Sequence, residues 1–164
     1  MLTSRDLLEK IKDFEGCRLE AYQDAAGVWT IGYGHTKGVH ENDRIDQFRA
    51  EELLKEDLEQ VEKQVLELNV CRTQAQLDAL VSFVFNVGIG RLKTSQLLKL
   101  LRADFVAEVV TREWNRWAYA NGRRLKGLVS RRRWEAKRYF EHSDSLNDVR
   151  YDQAKAAETK AAEA

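Results

Sequence analysis

The chain contains no proline, only two cysteines and a single methionine. Without proline, helix ends must be set by glycine and by side-chain caps rather than by a missing backbone N–H. Cys17 and Cys71 do not form a Cys-x-x-Cys pair, so free, partly buried thiols are expected in place of a disulfide framework. The two cysteines and His35, His40 and His142 lack the spacing of zinc ligands. No metal site is expected. No apolar run reaches the ~18 residues of a membrane span, which argues against a membrane anchor. The first residues, MLTSRDLLEKIKDFEG, are amphipathic and charged, with neither the apolar core nor the cleavage site of a secretory signal. A cytoplasmic protein is the expectation. No internal repeat is visible.

What is present is enough for a folded domain: 43% hydrophobic and 33% charged residues in 164, room for one domain with two lobes. The zero net charge hides an asymmetry. Residues 1–70 hold 9 Lys/Arg against 16 Asp/Glu, whereas residues 91–140 hold 14 against 4. A basic half suggests an anionic polymer as partner, against the plainer reading of a solvated surface with chance clustering.

Along the chain, Thr3 and Asp6 resemble a capping box. Leu7, Leu8, Ile11 and Phe14 then share a helical face, and Gly16 suits the stop. Glu15 therefore ends a short helix. RLEAYQD and VWTIGYGHT read as two strands of a hairpin joined through Ala25-Ala26-Gly27. The pleat sends Trp29, Ile31 and Tyr33 to a bulky face, and Val28, Thr30, Gly32 and Gly34 to a nearly bare one that a ligand could approach. From Asp46 to Asn69 the apolar positions Leu54, Leu58, Val61, Val65 and Leu68 predict a long helix able to bridge two lobes. TQAQLDALVSFVFNVG, SQLLKLL, DFVAEVVTREWNRWA and SRRRWEAKRYF read as further helices. Residues 1–142 are taken as one two-lobed catalytic domain, and 143–164 as a polar Ala/Glu/Lys-rich tail with no core.

Chemistry concentrates at the hairpin. A carboxyl at a helix C-terminus, such as Glu15, faces the negative end of the helix dipole, an environment that suits a general acid. Asp24, in a polar turn, could orient a water as base, with the Thr30 hydroxyl helping to hold it. Two carboxyls in unlike surroundings are what glycoside hydrolysis requires. Taken singly, each residue is commonplace. His35 after a glycine is more often a hydrogen-bonded structural residue than a base, and Asn86 could simply end a helix. WNRWAYANGRRLKGLVSRRR, which includes Trp117, mixes aromatics and cations in a way that suits nucleic acid as well as sugar.

Taken together, the residues Glu15-Gly16, Arg18-Leu19, Ala21-Tyr22, Asp24, Gly27 and Thr30-Ile31-Gly32-Tyr33-Gly34-His35-Thr36 resemble the active-site signature of phage-type lysozymes, glycoside hydrolase family 24. Phe85-Asn86-Val87-Gly88 resembles that family's cleft motif, as do Gly122-Arg123, Leu125, Gly127-Leu128-Val129, Arg131 to Arg133 and Glu135. The resemblance spans about Thr3 to Phe140 in order. It implies an α+β lysozyme-like fold and an inverting muramidase, with Glu15 as acid, Asp24 as base and Thr30 holding the water. His35, Asn86, Trp117 and Arg132 are carried over as substrate-binding or supporting residues. Counting back from Phe140 points to Arg132, among three consecutive arginines, as the partner of Glu15.

The expected substrate is bacterial peptidoglycan, cut between N-acetylmuramic acid and N-acetylglucosamine by a monomer with no cofactor. Such an endolysin would wait in the host cytoplasm until a holin-type partner opened the membrane. A lytic transglycosylase is the nearest rival, but it has no use for a water held by Asp24 and Thr30. A non-catalytic wall- or nucleic-acid-binding module is the other, and it would not be expected to carry the complete Glu/Asp/Thr set.

Overall fold

The computed structural model describes residues 1–163. Ala164, the last residue of the tail, lies outside the described residues. Helix α1 (Arg5–Glu15) begins one residue later than the sequence suggests: Ser4 is the N-cap, its Oγ accepting from the Leu7 N–H at 3.1 Å. The shift has a tertiary cause. Asp78, from another helix, accepts from Ser4 N–H at 3.0 Å and from Ser4 Oγ at 2.6 Å, while Glu62 accepts from Thr3 N–H at 2.7 Å. Gly16, at φ 66°, closes the helix through its N–H to the Lys12 carbonyl, a conformation glycine takes without a Cβ penalty.

Strands β1 (Arg18–Gln23) and β2 (Trp29–Gly32) form the antiparallel hairpin, with Tyr22 opposite Thr30 and Gln23 opposite Trp29. The register shifts between Arg18 and Tyr22, marking a bulge. Beyond β1 the Asp43–Ile45 segment adds a short third edge, through Ala21 N–H to Asp43 O and Ile45 N–H to Leu19 O. After β2 the chain doubles back tightly, and Ile31 and His35 exchange both backbone bonds at 2.9 Å. The bare face of β2 is not open, contrary to expectation. A Cβ on Gly32 would meet Ala50 Cβ at 3.5 Å and Ile45 Cδ1 at 3.4 Å. These are ordinary contacts, so a helix covers this face where a ligand was expected, and it is the φ of 63° that favours glycine here.

That helix is α2 (Gln47–Leu66), 20 residues started by Asp46, whose carboxylate caps the Arg49 N–H. At 1.5 Å per residue it runs about 30 Å. Helix α3 (Gln74–Val87) starts at a complete Thr73/Gln76 capping box, stops at Gly88, and is buried continuously from Leu77 to Val84. It is the core of the helical lobe, packed between α2 and α7 (Lys126–Tyr139). Between them run α4 (Ile89–Lys93), α5 (Gln96–Arg102) and α6 (Ala107–Asn115). Phe83, Trp114 and Tyr139 stack edge-on or tilted in this core.

Two elements were not anticipated. α4 is a single turn. The other is a second hairpin, β3 (Tyr119–Ala120) with β4 (Arg123–Arg124), turned by Asn121 and Gly122 at φ 50° and 74°. Asn-Gly at the two central positions is a strong signal for such a turn, masked here by the surrounding mixture of arginines and aromatics. The tail also departs from expectation at its start. The unpaired donors of the first turn of α3 are met by residues 143–144: Gln74 N–H bonds Asp144 O and Ala75 N–H bonds Ser143 Oγ, each at 2.9 Å. Leu146 is buried in the core at the head of α8 (Leu146–Glu163), which is exposed from Arg150 onward.

Candidate active site

Glu15 projects from the last position of α1, with its side chain 22% exposed. Arg131 Nη1, from α7, donates to its Oε1 at 2.6 Å. The hairpin backbone passes close to the other oxygen: a Cβ on Gly34 would stand in ordinary contact with Oε2, at 3.6 Å, and the φ of 87° favours glycine there. Beside Glu15 opens a cavity of ≈ 420 Å³ whose walls include Phe14, Asn86, Leu125, Leu128 and Arg131.

The partner of Glu15 is thus Arg131 and not Arg132. Side chains of adjacent helical residues point about 100° apart, and packing decides which one faces α1. Arg131 stands with its guanidinium 5.0 Å from the Phe14 ring and bonds the Ser82 carbonyl at 2.9 Å. Arg132 turns inward and is wholly buried, with one amino group bonding Asn86 Oδ1 and Glu135 Oε1, both at 3.0 Å.

Both arginines converge on Glu135, which is fully buried. Its carboxylate accepts from Ser82 Oγ at 2.7 Å, Trp114 Nε1 at 3.0 Å and Arg131 Nε at 3.3 Å. Burial pushes the Glu135 carboxyl above its ordinary value, against the pull of the two guanidiniums, and pushes Arg132 below its own. Desolvation therefore works against this pair. Arg132 Nε lies 2.8 Å from Glu135 Oε2 without hydrogen-bond alignment, and its Nη1 has no acceptor. The guanidinium carbon lies 4.9 Å from the centre of the Phe83 ring, a contact that partly compensates. This cluster fixes Arg131, and through it the carboxyl of Glu15.

Asp24 is exposed at the hairpin turn and held by its own loop. Oδ1 accepts from Ala26 N–H at 2.8 Å and Val28 N–H at 2.9 Å, an Asx-type turn. Thr30 is 4% exposed, and its hydroxyl donates to the Val28 carbonyl at 2.9 Å. Neither residue lines the cavity at Glu15, whereas Asn86 does. His35 has a polar partner at each ring nitrogen. Nδ1 lies 2.8 Å from Asp57 Oδ2 on α2, and Nε2 2.9 Å from the Lys37 carbonyl. It ties the hairpin to the long helix. Trp117 packs edge-on to Phe83, with the Arg91 guanidinium 5.0 Å from its ring. It lines a second cavity of ≈ 270 Å³ that shares Asn86, Leu125 and Leu128 with the first. Three arginines in a row carry no sign of which one faces the cavity, so the count from Phe140 lands one residue away, on Arg132 instead of Arg131.

A small sheet-bearing lobe, a long helix and a helical lobe, with an arginine-held carboxyl beside a cavity, define a lysozyme-like protein. The family model described as phage lysozyme matches residues 12–135, and the chain belongs to that family. It is 44% identical to an endolysin of Acyrthosiphon pisum secondary endosymbiont phage 1, over 76% of this chain and 88% of the relative. An endolysin of Bacillus phage B103 is 42% identical over 76% of this chain but only 49% of its own length. Among solved structures, the muramidase domain of SpmX from Asticaccaulis excentricus superposes with a TM-score of 0.76 at 35% identity, covering 85% of this chain and 97% of that one. An endolysin from Escherichia coli O157:H7 phage FAHEc1 gives 0.73 at 35%, covering 86% and 94%.

Proposed function

We propose that Glu15 is the general acid of this enzyme, Asp24 its base and Thr30 a support for the attacking water. The protein is a glycoside hydrolase of the phage lysozyme family, an endolysin acting on peptidoglycan. The observation that carries the assignment of the acid is the Glu15–Arg131 contact at the wall of the cavity, fixed from behind by Glu135. A carboxyl held in one rotamer can present a proton to a glycosidic oxygen without first being ordered. The Asx turn supports the role of Asp24: with Oδ1 engaged by two backbone N–H groups, the carboxylate is oriented and its other oxygen can polarise a water. The water oxygen bonds the anomeric carbon as its proton passes to Asp24, while the glycosidic C–O bond breaks and the proton of Glu15 moves to the leaving oxygen.

Inversion follows if the water attacks from the face opposite the leaving group. A pair spaced for this stands about 6.5–9.5 Å apart, against about 5–5.5 Å for a retaining pair. The enzyme would act as a monomer, wait in the host cytoplasm and reach the wall through a membrane lesion made by a holin-type partner. No helix among the described residues is long and apolar enough to cross a membrane.

The test is purified protein on isolated peptidoglycan, with the products analysed by mass and by NMR as they form. Hydrated N-acetylmuramic acid ends, α-configured when first released, are expected. A 1,6-anhydro end would mean transglycosylation and remove the water; a β-configured first product would turn Asp24 into a nucleophile.

A further inference from the structure

Helix α1 ends in a way that helix physics disfavours. Its last turn carries two acids, Asp13 and Glu15, at the negative end of the helix dipole. Glu15 has its arginine; Asp13 has no counter-ion. Lys12 is taken by Glu9 at 3.2 Å and Glu51 at 3.1 Å, and Lys10 Nζ stands 5.2 Å from the centre of the Phe14 ring. Arg131 is committed to Glu15, Glu135 and the Ser82 carbonyl. The Asp13 side chain is exposed, and among the described residues its carboxylate makes no hydrogen bond or ion pair. Yet Asp13 lines the ≈ 420 Å³ cavity, which wraps the end of α1 by taking in Asp13, Phe14 and Glu15 in succession. Among the described residues, Asp13 and Glu15 are the two acids on that wall and Arg131 its one cation. A charge that opposes the stability of its own helix and faces the cavity of the proposed acid fits a role toward substrate, because sites are where local rules of stability are broken.

We infer that Asp13 binds the glycan beside the bond being cut, its carboxylate accepting from a hydroxyl or acetamide N–H of a sugar seated in the cavity. The inference rests on the muramidase reading above. Every sugar of that substrate presents such donors, and an ionised carboxylate is a pure acceptor with two oxygens to offer. A hydrogen bond to a charged acceptor is stronger than one between neutral groups. Asp13 stands two residues before Glu15 on one helix, so a sugar held by it lies at a fixed offset from the acid. Asp13 is a substrate-binding residue and takes no part in proton transfer. As a mere surface charge it would act in the opposite sense, repelling an anionic wall.

The test compares Asp13→Ala and Asp13→Asn with wild type and with Asp6→Asn, which removes an equal charge from an exposed residue in the first turn of the same helix, away from the cavity. On isolated peptidoglycan, KM for the release of muramic acid ends is expected to rise about tenfold in Asp13→Ala. The rise should be smaller in Asp13→Asn, which keeps one acceptor oxygen, and kcat should stay within about twofold of wild type in both. It should persist as salt is added, as a short-range bond does and a long-range field does not. The unfolding midpoints of both Asp13 variants should equal or exceed that of wild type, because a negative charge leaves the negative end of the helix. Asp6→Asn should leave KM unchanged. A KM within about twofold of wild type in both Asp13 variants, a KM that falls as a repulsion is removed, or an equal rise in Asp6→Asn overturns the inference. A rise in KM that comes with a lower midpoint also overturns it and assigns Asp13 to the fold. Absence of new muramic acid ends with the wild-type protein would instead refute the muramidase reading itself, and this inference with it.

Discussion

The two carboxyls read as acid and base are held in opposite ways. Glu15 depends on a partner 116 residues away, which in turn is fixed by a buried carboxylate with four side-chain donors. Asp24 depends on two backbone N–H groups within four residues of itself. The first arrangement exists only when the whole helical lobe is folded. The second is a property of the turn. A long-range anchor gives the acid a fixed direction in a partly desolvated place, where a misdirected proton is most costly. A local anchor is enough for a base whose partner is water.

The sharpest way to separate these roles is Glu15→Gln. The amide keeps the size of the side chain and can still accept from Arg131, but it cannot deliver a proton. Wall-lytic activity is expected to fall by about 10²–10⁴, the contribution of a general acid, with the unfolding midpoint little changed. Near-normal clearing of a cell-wall suspension would remove Glu15 from the mechanism.

Glu135→Ala attacks the anchor and not the acid. It leaves two buried guanidiniums without their shared carboxylate, and the loss of stability is expected to be about 3–5 kcal/mol, measurable by denaturant unfolding. The arginines should then divide. Arg131→Ala is expected to lower activity even at temperatures where the protein stays folded, because it touches Glu15. Arg132→Ala, facing inward, is expected to act chiefly on stability. Equal activity losses in the two variants under folded conditions would contradict the distinction.

The local anchor should be separable from its chemistry. Asp24→Asn keeps Oδ1 as an acceptor for Ala26 and Val28 and is expected to fold almost as well as wild type while losing activity; Asp24→Ala should lose the same activity plus about 1 kcal/mol of stability. If Asn and Ala behave alike in unfolding experiments, the Asx turn contributes nothing to the hairpin.

The smallest effect concerns Cys71, a free thiol like Cys17. Burial pushes its thiol up from 9.0 to about 12. The folded state therefore keeps a proton that the unfolded state gives up, and stability should decline as pH rises from about 9 towards 12. At pH 9 alkylation of Cys71 in the folded protein should be at least about tenfold slower than in denaturant. Equal rates would mean the thiol is more open than its surroundings indicate.

Much of this architecture could be read without coordinates. Gly16 stops the helix it was expected to stop, the long helix starts beside Asp46 as its periodicity implied, and the turn around Asp24 lies between the two strands expected there. In each case the controlling atoms lie within a few residues of one another. The errors share the opposite character. Ser4 displaced Thr3 as cap because Asp78 and Glu62 pull on the chain from other helices, the bare face of β2 was claimed by Ala50, and the start of the tail was drawn to α3 by unpaired N–H groups.

The sequence by itself therefore determined the order of the main helices and of the first hairpin, the end of α1 at Glu15, the hairpin turn that holds Asp24 and the motifs that mark the family. Helix periodicity, caps and tight turns are short-range, and a single chain carries them in full. Only the tertiary structure decided that Arg131 and not Arg132 meets Glu15, and that Glu135 holds both arginines. Each of these turns on a rotation of about 100° per residue about a helix axis. Packing against α1 and α3 sets that rotation, and no local pattern among three identical residues can.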